Sequence, residues 1–263
     1  MHLVVCLKQI IDPEIPARDF RVDGEKREAV RGSANLVTNV FCENALATAL
    51  AFREKFGGKI TALAFGPASV EDTLRKALAL KVDAAAHVVE ETAGQTRDAA
   101  IVARALSAAI GKLEAVDTVL VGRESGDWGF GQTGGLVAEM LGWPCLAFVD
   151  ELSVEGKSLR LRRQTESGWE VYESAQPLVV TITNSDHNQP RLPKTRDVML
   201  AHRQPITKWT ASQLQVSADR AWSPVADLRI PERETLCEFI GGDSLDERLD
   251  SLAAKIRGVL RGI

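Results

Sequence analysis

No stretch of this sequence approaches the ~20 consecutive apolar residues that a membrane-crossing helix requires, so a bilayer-spanning role is not expected. A basic excess is missing as well. The net charge of -4 argues against a general nucleic-acid binder, which carries Lys and Arg in surplus, and leaves open only a local basic patch. Cysteine is scarce: Cys6, Cys42, Cys145 and Cys237 form no C-x-x-C pair, and Cys6 and Cys145 lie in apolar, strand-like runs. Reduced, mostly buried thiols in a cytoplasmic protein are therefore expected. His2, His87, His187 and His202 are scattered without metal-ligand spacing, so no protein-bound metal is expected. Met1 to Val5 has no positively charged leader ahead of its short apolar run, which reads as a first strand rather than a secretion signal.

Catalytic motifs are absent too. There is no G-x-x-x-x-G-K-[ST] phosphate loop and no G-x-G-x-x-G after the first strand. Ser125 stands in Gly-Arg-Glu-Ser-Gly, which is not the G-x-S-x-G nucleophile elbow. No Ser/His/Asp or Cys/His set stands out. No side chain is expected to be catalytic.

What is present is an ordinary globular composition, 45% hydrophobic and 26% charged over 263 residues, enough for one large core or one core plus an appendage. Leu3 to Leu7 reads as a strand, followed by a helical face of Ala45, Leu46, Ala49, Leu50 and Phe56 that stops at Gly57-Gly58. Ile60 to Phe65 is a second strand. Ser69-Val-Glu-Asp72 has the form of a capping box opening a helix with Leu74, Ala77 and Leu78 inward. Ala86 to Val89 is a third strand, Thr96 to Leu113 a helix, Thr118 to Val121 a fourth strand and Thr133 to Leu141 a fourth helix.

Strands buried on both faces and joined by helices predict an α/β fold: a doubly wound, mostly parallel, Rossmann-like sheet. After Cys145 to Val149 the strand-like segments Ser158 to Arg163, Glu170 to Glu173 and Leu178 to Thr183 have no helix between them. With a hairpin turn at Ser167-Gly168, they predict added antiparallel strands. From Asn184 to Glu234 the period is lost and prolines punctuate the chain, as in a disordered stretch or an arm lying on a partner. Ser244-Leu-Asp-Glu247 then caps a helix with Leu245, Leu249, Leu252, Ile256 and Val259 on one stripe. The expected organisation is an α/β domain over 1–183 and a partner-embracing arm with a C-terminal helix over 184–263.

The segment most suggestive of chemistry runs from Gly122 to Gly135, between a strand and a helix, where open α/β sheets place their ligands. Gly129, Gly131, Gly134 and Gly135 let a bound group approach the backbone. Thr133 stands at the expected helix start, where free N–H groups attract phosphate. Asp127 suits a ribose hydroxyl or a backbone amide better than a phosphate.

The chain also resembles the beta subunit of electron-transfer flavoproteins along essentially its whole length. The resemblance is carried by Val4-Val-Cys-Leu-Lys-Gln-Ile-Ile-Asp12, Asn39-Val-Phe-Cys-Glu-Asn-Ala45, Ala62-Leu-Ala-Phe-Gly-Pro67 and Leu74-Arg-Lys-Ala-Leu-Ala-Leu80. Gly122-Arg-Glu with Gln132-Thr-Gly134, and Pro177-Leu-Val-Val-Thr181 leading to Pro190-Arg191, complete it. It implies a heterodimer with an alpha subunit that holds most of a redox-active FAD, with a structural AMP in this chain. Carried over by position, the AMP site uses Cys6, Asn39, Ala64, Phe65, Gly122, Asp127, Gly131, Gln132, Thr133 and Gly134. Gly131 replaces a common Asn, and Phe65 is larger than the residue often found there. Phe41, near the subunit boundary in the family, is placed against the flavin or in the core.

The resemblance further implies docking of redox partners such as dehydrogenases near Pro193, Lys194, Thr195 and Arg196. Here Thr195-Arg196 stands where many members carry Leu-Pro, which implies a different partner surface. The stretch through Trp209-Thr-Ala-Ser-Gln-Leu214 is more similar to the bifurcating branch, whose beta subunit binds a second FAD that accepts hydride from NADH. Gln132-Thr-Gly134 is similar to the AMP branch, and AMP is the leading expectation. A free-standing adenine-nucleotide sensor is the alternative of another class.

Overall fold

The amino-terminal apolar run forms β1 (His2–Leu7), buried along its whole length. In the computed structural model, residues 1–91, 98–156, 158–174, 177–216, 222–231 and 237–261 are described. Short strands β2 (Gln9–Ile11), β3 (Arg21–Asp23), β4 (Glu28–Val30) and β5 (Leu36–Thr38) follow, pairing antiparallel as β2–β5 and β3–β4. Helix α1 (Val40–Phe56) ends at Gly57, whose φ of 76° no β-carbon favours. Then come β6 (Lys59–Gly66), α2 (Glu71–Ala79), β7 (Ala84–Val89), α3 (Ala99–Ile110), β8 (Thr118–Gly122) and α4 (Thr133–Leu141). The alternation ends with β9 (Cys145–Glu155), β10 (Ser158–Thr165), β11 (Gly168–Ser174) and β12 (Leu178–Ile182). Beyond them lie α5 (Thr195–Ala201), β13 (Thr207–Trp209) and α6 (Leu245–Leu260).

The main sheet has the order β11-β10-β9-β12-β8-β1-β6-β7-β13. Its centre is parallel and includes β12, which runs parallel to both β8 and β9 rather than as the antiparallel addition expected of Leu178 to Thr183. Strand β10 is antiparallel to both β9 and β11. Alternation along β1 sorts the core. Leu3, Val5 and Leu7 join the cluster built with α1 and α2, whereas Val4 and Cys6 join the one built with α3 and α4. Helices thus cover both faces of the sheet, as the doubly wound expectation requires.

Several local expectations change. Ser69 makes no capping bond: it lies in a 3₁₀ turn, Ala68–Val70, and α2 begins at Glu71 with Val70 as its N-cap. Helix α3 starts after Asp98; Thr96, where the apolar period began, lies outside the described residues. Cys145, at the start of β9, and Cys237 are exposed, while Cys6 and Cys42 are buried. The thiols are therefore evenly divided rather than mostly buried.

By its contacts the chain divides into Met1–Leu228 and Arg229–Ile263. In the first unit the segment after Asn184 holds two regular elements, α5 and the sheet-edge strand β13; its residues 217–221 lie outside the described set. Asn188, 1% exposed, donates to the Thr183 carbonyl at 2.8 Å and accepts from the Ser185 amide at 2.8 Å. Asn44 on α1 donates to the Asn188 carbonyl at 2.9 Å. Arg75 on α2 donates to the Ala201 carbonyl at 2.8 Å and also to that of Gln204. Within the second unit, α6 is capped by Ser244, which accepts from the Glu247 amide at 3.2 Å. The Glu247 carboxylate accepts from the Asp243 amide, one residue before the position a capping box uses. No residue of α6 is buried.

Candidate functional site

The strand order turns at β1. From β1 the chain passes α1 on one face to β6 on one side; after α3 on the opposite face, β8 falls on β1's other side. The crevice beyond the carboxyl ends of β1 and β8 is where such sheets bind ligands. Lys8 follows β1 there, and Gly122 ends β8.

Asn39, the N-cap of α1, is 1% exposed and organises the loop after β8. Its Nδ2 donates to the Glu124 carbonyl at 2.8 Å, and its Oδ1 accepts from the Gly126 amide at 3.0 Å. One side-chain amide therefore satisfies loop backbone groups two residues apart, as a neighbouring strand would. Asp127 Oδ1 accepts from the Trp128 amide at 2.8 Å and from Lys8 Nζ at 2.7 Å. Lys8 Nζ also donates to Ser125 Oγ at 3.3 Å. Glycine is demanded at two places by crowding: a β-carbon at Gly122 would sit 2.9 Å from the Cys42 nitrogen, and one at Gly134 2.4 Å from Thr181 Cγ2. Gly131 has a φ of 63° and a would-be β-carbon 3.2 Å from the Arg123 carbonyl oxygen, so the backbone there passes bare.

Gln132 is the N-cap of α4 and makes no side-chain cap bond. The first amides of the helix, at Thr133 and Gly134, have no intrahelical carbonyl to bond. Gly134 is buried against Thr181 of β12, while Gly131 and Gln132 are exposed. A concave run of backbone donors at a helix start can hold an anion.

Of the remaining expected positions Cys6 is on β1 itself, and Ala64 and Phe65 lie one strand away on β6. Ala64 pairs with Leu7 at the end of β6, and Phe65 is 7% exposed in the α3–α4 cluster with Cys6. Burial, with Cys42 nearby, pushes the Cys6 thiol far above its ordinary range. Burial likewise raises Cys42, against opposing bonds from Asn39 and the Lys8 and Gly122 amides. Both are inert neutral thiols at pH 7. Phe41 is half-buried, and its ring carries the Arg123 guanidinium 4.4 Å from its centroid.

Sequence reasoning did not single out Lys8, Arg123 or Thr183 as site residues. Arg123 donates to Glu124 Oε1 at 3.1 Å and to Thr183 Oγ1 at 3.0 Å. The missed signal was position: Lys8 and Arg123 each stand just past the end of a central strand. Phe148 in β9 holds a φ of 60°, donates its amide to Thr181 Oγ1 at 3.2 Å, and is exposed. Pro193, Lys194, Thr195 and Arg196 lie at the start of α5, with Lys194 as its N-cap and all but the half-buried Pro193 exposed.

Among the described residues no group of His, Cys, Asp and Glu is placed to hold a metal ion, and no helix is long and apolar enough to cross a membrane.

Residues 29–214 match the family model described as the electron transfer flavoprotein domain. The chain is 33% identical over 263 residues to electron transfer flavoprotein subunit beta of Thermoanaerobacterium thermosaccharolyticum, covering 95% of this chain and 98% of the relative. It is 28% identical over 261 residues to the subunit beta of Clostridium acetobutylicum, covering 99% and 98%. It is 29% identical over 263 residues to the caffeyl-CoA reductase-Etf complex subunit CarD of Acetobacterium woodii, covering 98% of each.

Proposed function

The chain belongs to the electron transfer flavoprotein family, and on that premise we propose that it is the beta subunit of a heterodimeric electron carrier. An alpha subunit would hold most of the FAD, which stores and passes the electrons, and this chain would bind AMP. The observation that carries the nucleotide reading is the bare-backbone loop ending in the uncapped start of α4, at the crevice between β1 and β8. The amides of Thr133 and Gly134 would hold the phosphate. Gly131 and Gln132 would flank it, and Gly122 would let the loop close on α1.

Asn39 acts on the nucleotide through the loop, because both its polar groups are engaged by Glu124 and Gly126. Ala64, Phe65 and the backbone beside Cys6 would wall the adenine side. Asp127 already has two partners, so a ribose hydroxyl there would have to share it. The chain supplies no acid, base or nucleophile to a reaction; its work is to hold, cover and dock. Redox partners would dock at Pro193, Lys194, Thr195 and Arg196, and the alpha subunit would cover the apolar stripe of α6.

Copurification with the alpha subunit, followed by release and counting of nucleotides, tests this directly. One FAD and one AMP per heterodimer is the expected result. The similarity of Trp209 to Leu214 to the bifurcating branch supports a second reading, in which this site takes FAD; two FAD and no AMP would establish it. A chain that binds adenine nucleotide as a stable monomer and never pairs would instead be a sensor.

A further inference from the structure

Two cations meet at the loop, Arg123 within it and Lys8 from the end of β1, and they are differently committed. Arg123 lies on the Phe41 ring and donates to Glu124 and Thr183, so its planar fork is spent on the fold. Lys8 stands at the end of β1 on a flexible stem. Among the described residues its ammonium meets Asp127 at 2.7 Å and Ser125 at 3.3 Å, which leaves one of its three donors over. Both ends of this ion pair are about 30% exposed, at 30% and 29%, so it is an accessible pair rather than a buried structural one. Lys8, Arg123, Glu124 and Asp127 sum to zero charge. A phosphate dianion arriving at the start of α4 would then be balanced only by the helix dipole, worth about half a charge.

We propose that Lys8 is the charge-compensating residue of the nucleotide phosphate, and that Asp127 holds its ammonium in place as a surrogate anion until the phosphate shares or takes it. The inference rests on the nucleotide reading of the loop. It goes further by assigning the phosphate's cation and giving Asp127 an opposing role. Asp127 competes with the phosphate for Lys8, so its charge weakens binding even though it lies in the site. The bland reading is that Lys8 only staples the loop to β1, and it predicts a different pattern of variants.

Calorimetric titration of the nucleotide-free full chain with AMP and with adenosine separates the two. Lys8→Met should weaken AMP by ~10-fold, the scale of one lost charge-assisted bond, and leave adenosine within about twofold. Lys8→Arg should recover most of the loss, and the salt dependence of AMP binding should flatten in Lys8→Met. Asp127→Asn, which keeps an acceptor for the Trp128 amide, should tighten AMP binding. Parallel losses of AMP and adenosine in Lys8→Met, or weaker AMP binding in Asp127→Asn, overturn the proposal while leaving the nucleotide reading intact. A wild-type chain that binds neither AMP nor FAD overturns both. If the wild type takes FAD instead, the same criteria apply to FAD against riboflavin.

Discussion

At the residue scale, the contact between Gly134 and Thr181 gives the sharpest expectation. A methyl group at position 134 would meet Thr181 Cγ2 at 2.4 Å, and overpacking of this kind costs about 1–3 kcal/mol. Gly134→Ala should therefore lower stability by that amount in denaturant unfolding. Thr181→Ser removes the offending methyl but keeps the hydroxyl that accepts from the Phe148 amide. The double variant should regain most of the loss, giving a coupling of at least ~1 kcal/mol; additive losses would show that the clash is not the cause. Asn39 invites a comparable test. Asn39→Asp sets a carboxylate oxygen against the Glu124 carbonyl that Nδ2 now serves, at a cost of about 1–3 kcal/mol. Faster amide exchange at Gly126 and weaker nucleotide binding are expected, and unchanged exchange would count against the clamp. The passage from strand to helix through Gly131 and Gly134 was legible because glycines separate a continuous apolar run from a helical stripe. Lys8 was not, because its meaning depends on Asp127, 119 positions away, and no local pattern carries a contact of that range.

At the scale of elements, β1, α1, β6, β8 and α4 were legible from the switch between continuous apolar runs and helical stripes. The ribbons β2–β5 and β3–β4 were not, since strands of three residues are too short to show a period. Nor were α5 and β13, because their order comes from bonds to distant elements: Arg75 to the Ala201 carbonyl and the pairing of β13 with β7. Asp98 shows how such anchoring works and what pH would do to it. Its Oδ1 accepts from the Ala100 and Ile101 amides, capping α3, and its Oδ2 accepts from the Trp222 and Ser223 amides. Burial pushes its pKa up, but these four backbone donors outweigh that and hold the carboxyl below its ordinary 3.8. The stabilisation is therefore complete above the unfolded-chain value and is lost as pH falls through the lower folded one. Acid titration should free the 222–223 segment from α3 at the onset of the acid transition, and the environment of Trp222, with the Arg104 guanidinium 5.9 Å from its ring centroid, reports it. In Asp98→Asn that acid-dependent step should vanish and stability at pH 7 should drop by about 1–2 kcal/mol, the scale of a lost cap. An unchanged acid limb in the variant would remove Asp98 from the account.

For the whole molecule the decisive feature is the division at Leu228. The core clusters lie entirely within Met1–Leu228, so that unit has a core of its own. Helix α6 is in the opposite position. It has 16 residues, near the length at which an isolated helix is marginal in water, and its apolar stripe stays at least 41% exposed from Leu245 and Leu249 through Leu252, Ile256 and Val259. Burying such a side chain is worth about 1.5–3 kcal/mol, so a partner covering five of them would supply far more than the helix can supply alone. Truncation after Leu228 should accordingly leave the melting transition of the first unit within a few degrees of the full chain, while abolishing copurification with the alpha subunit. Leu252→Glu with Ile256→Glu should separate these effects without shortening the chain: the same melting transition, an intact nucleotide affinity, and no heterodimer. If the paired charges left the heterodimer intact, the stripe would not be the surface the alpha subunit covers. If they lowered the melting transition of the isolated chain, α6 would be packing on its own core instead.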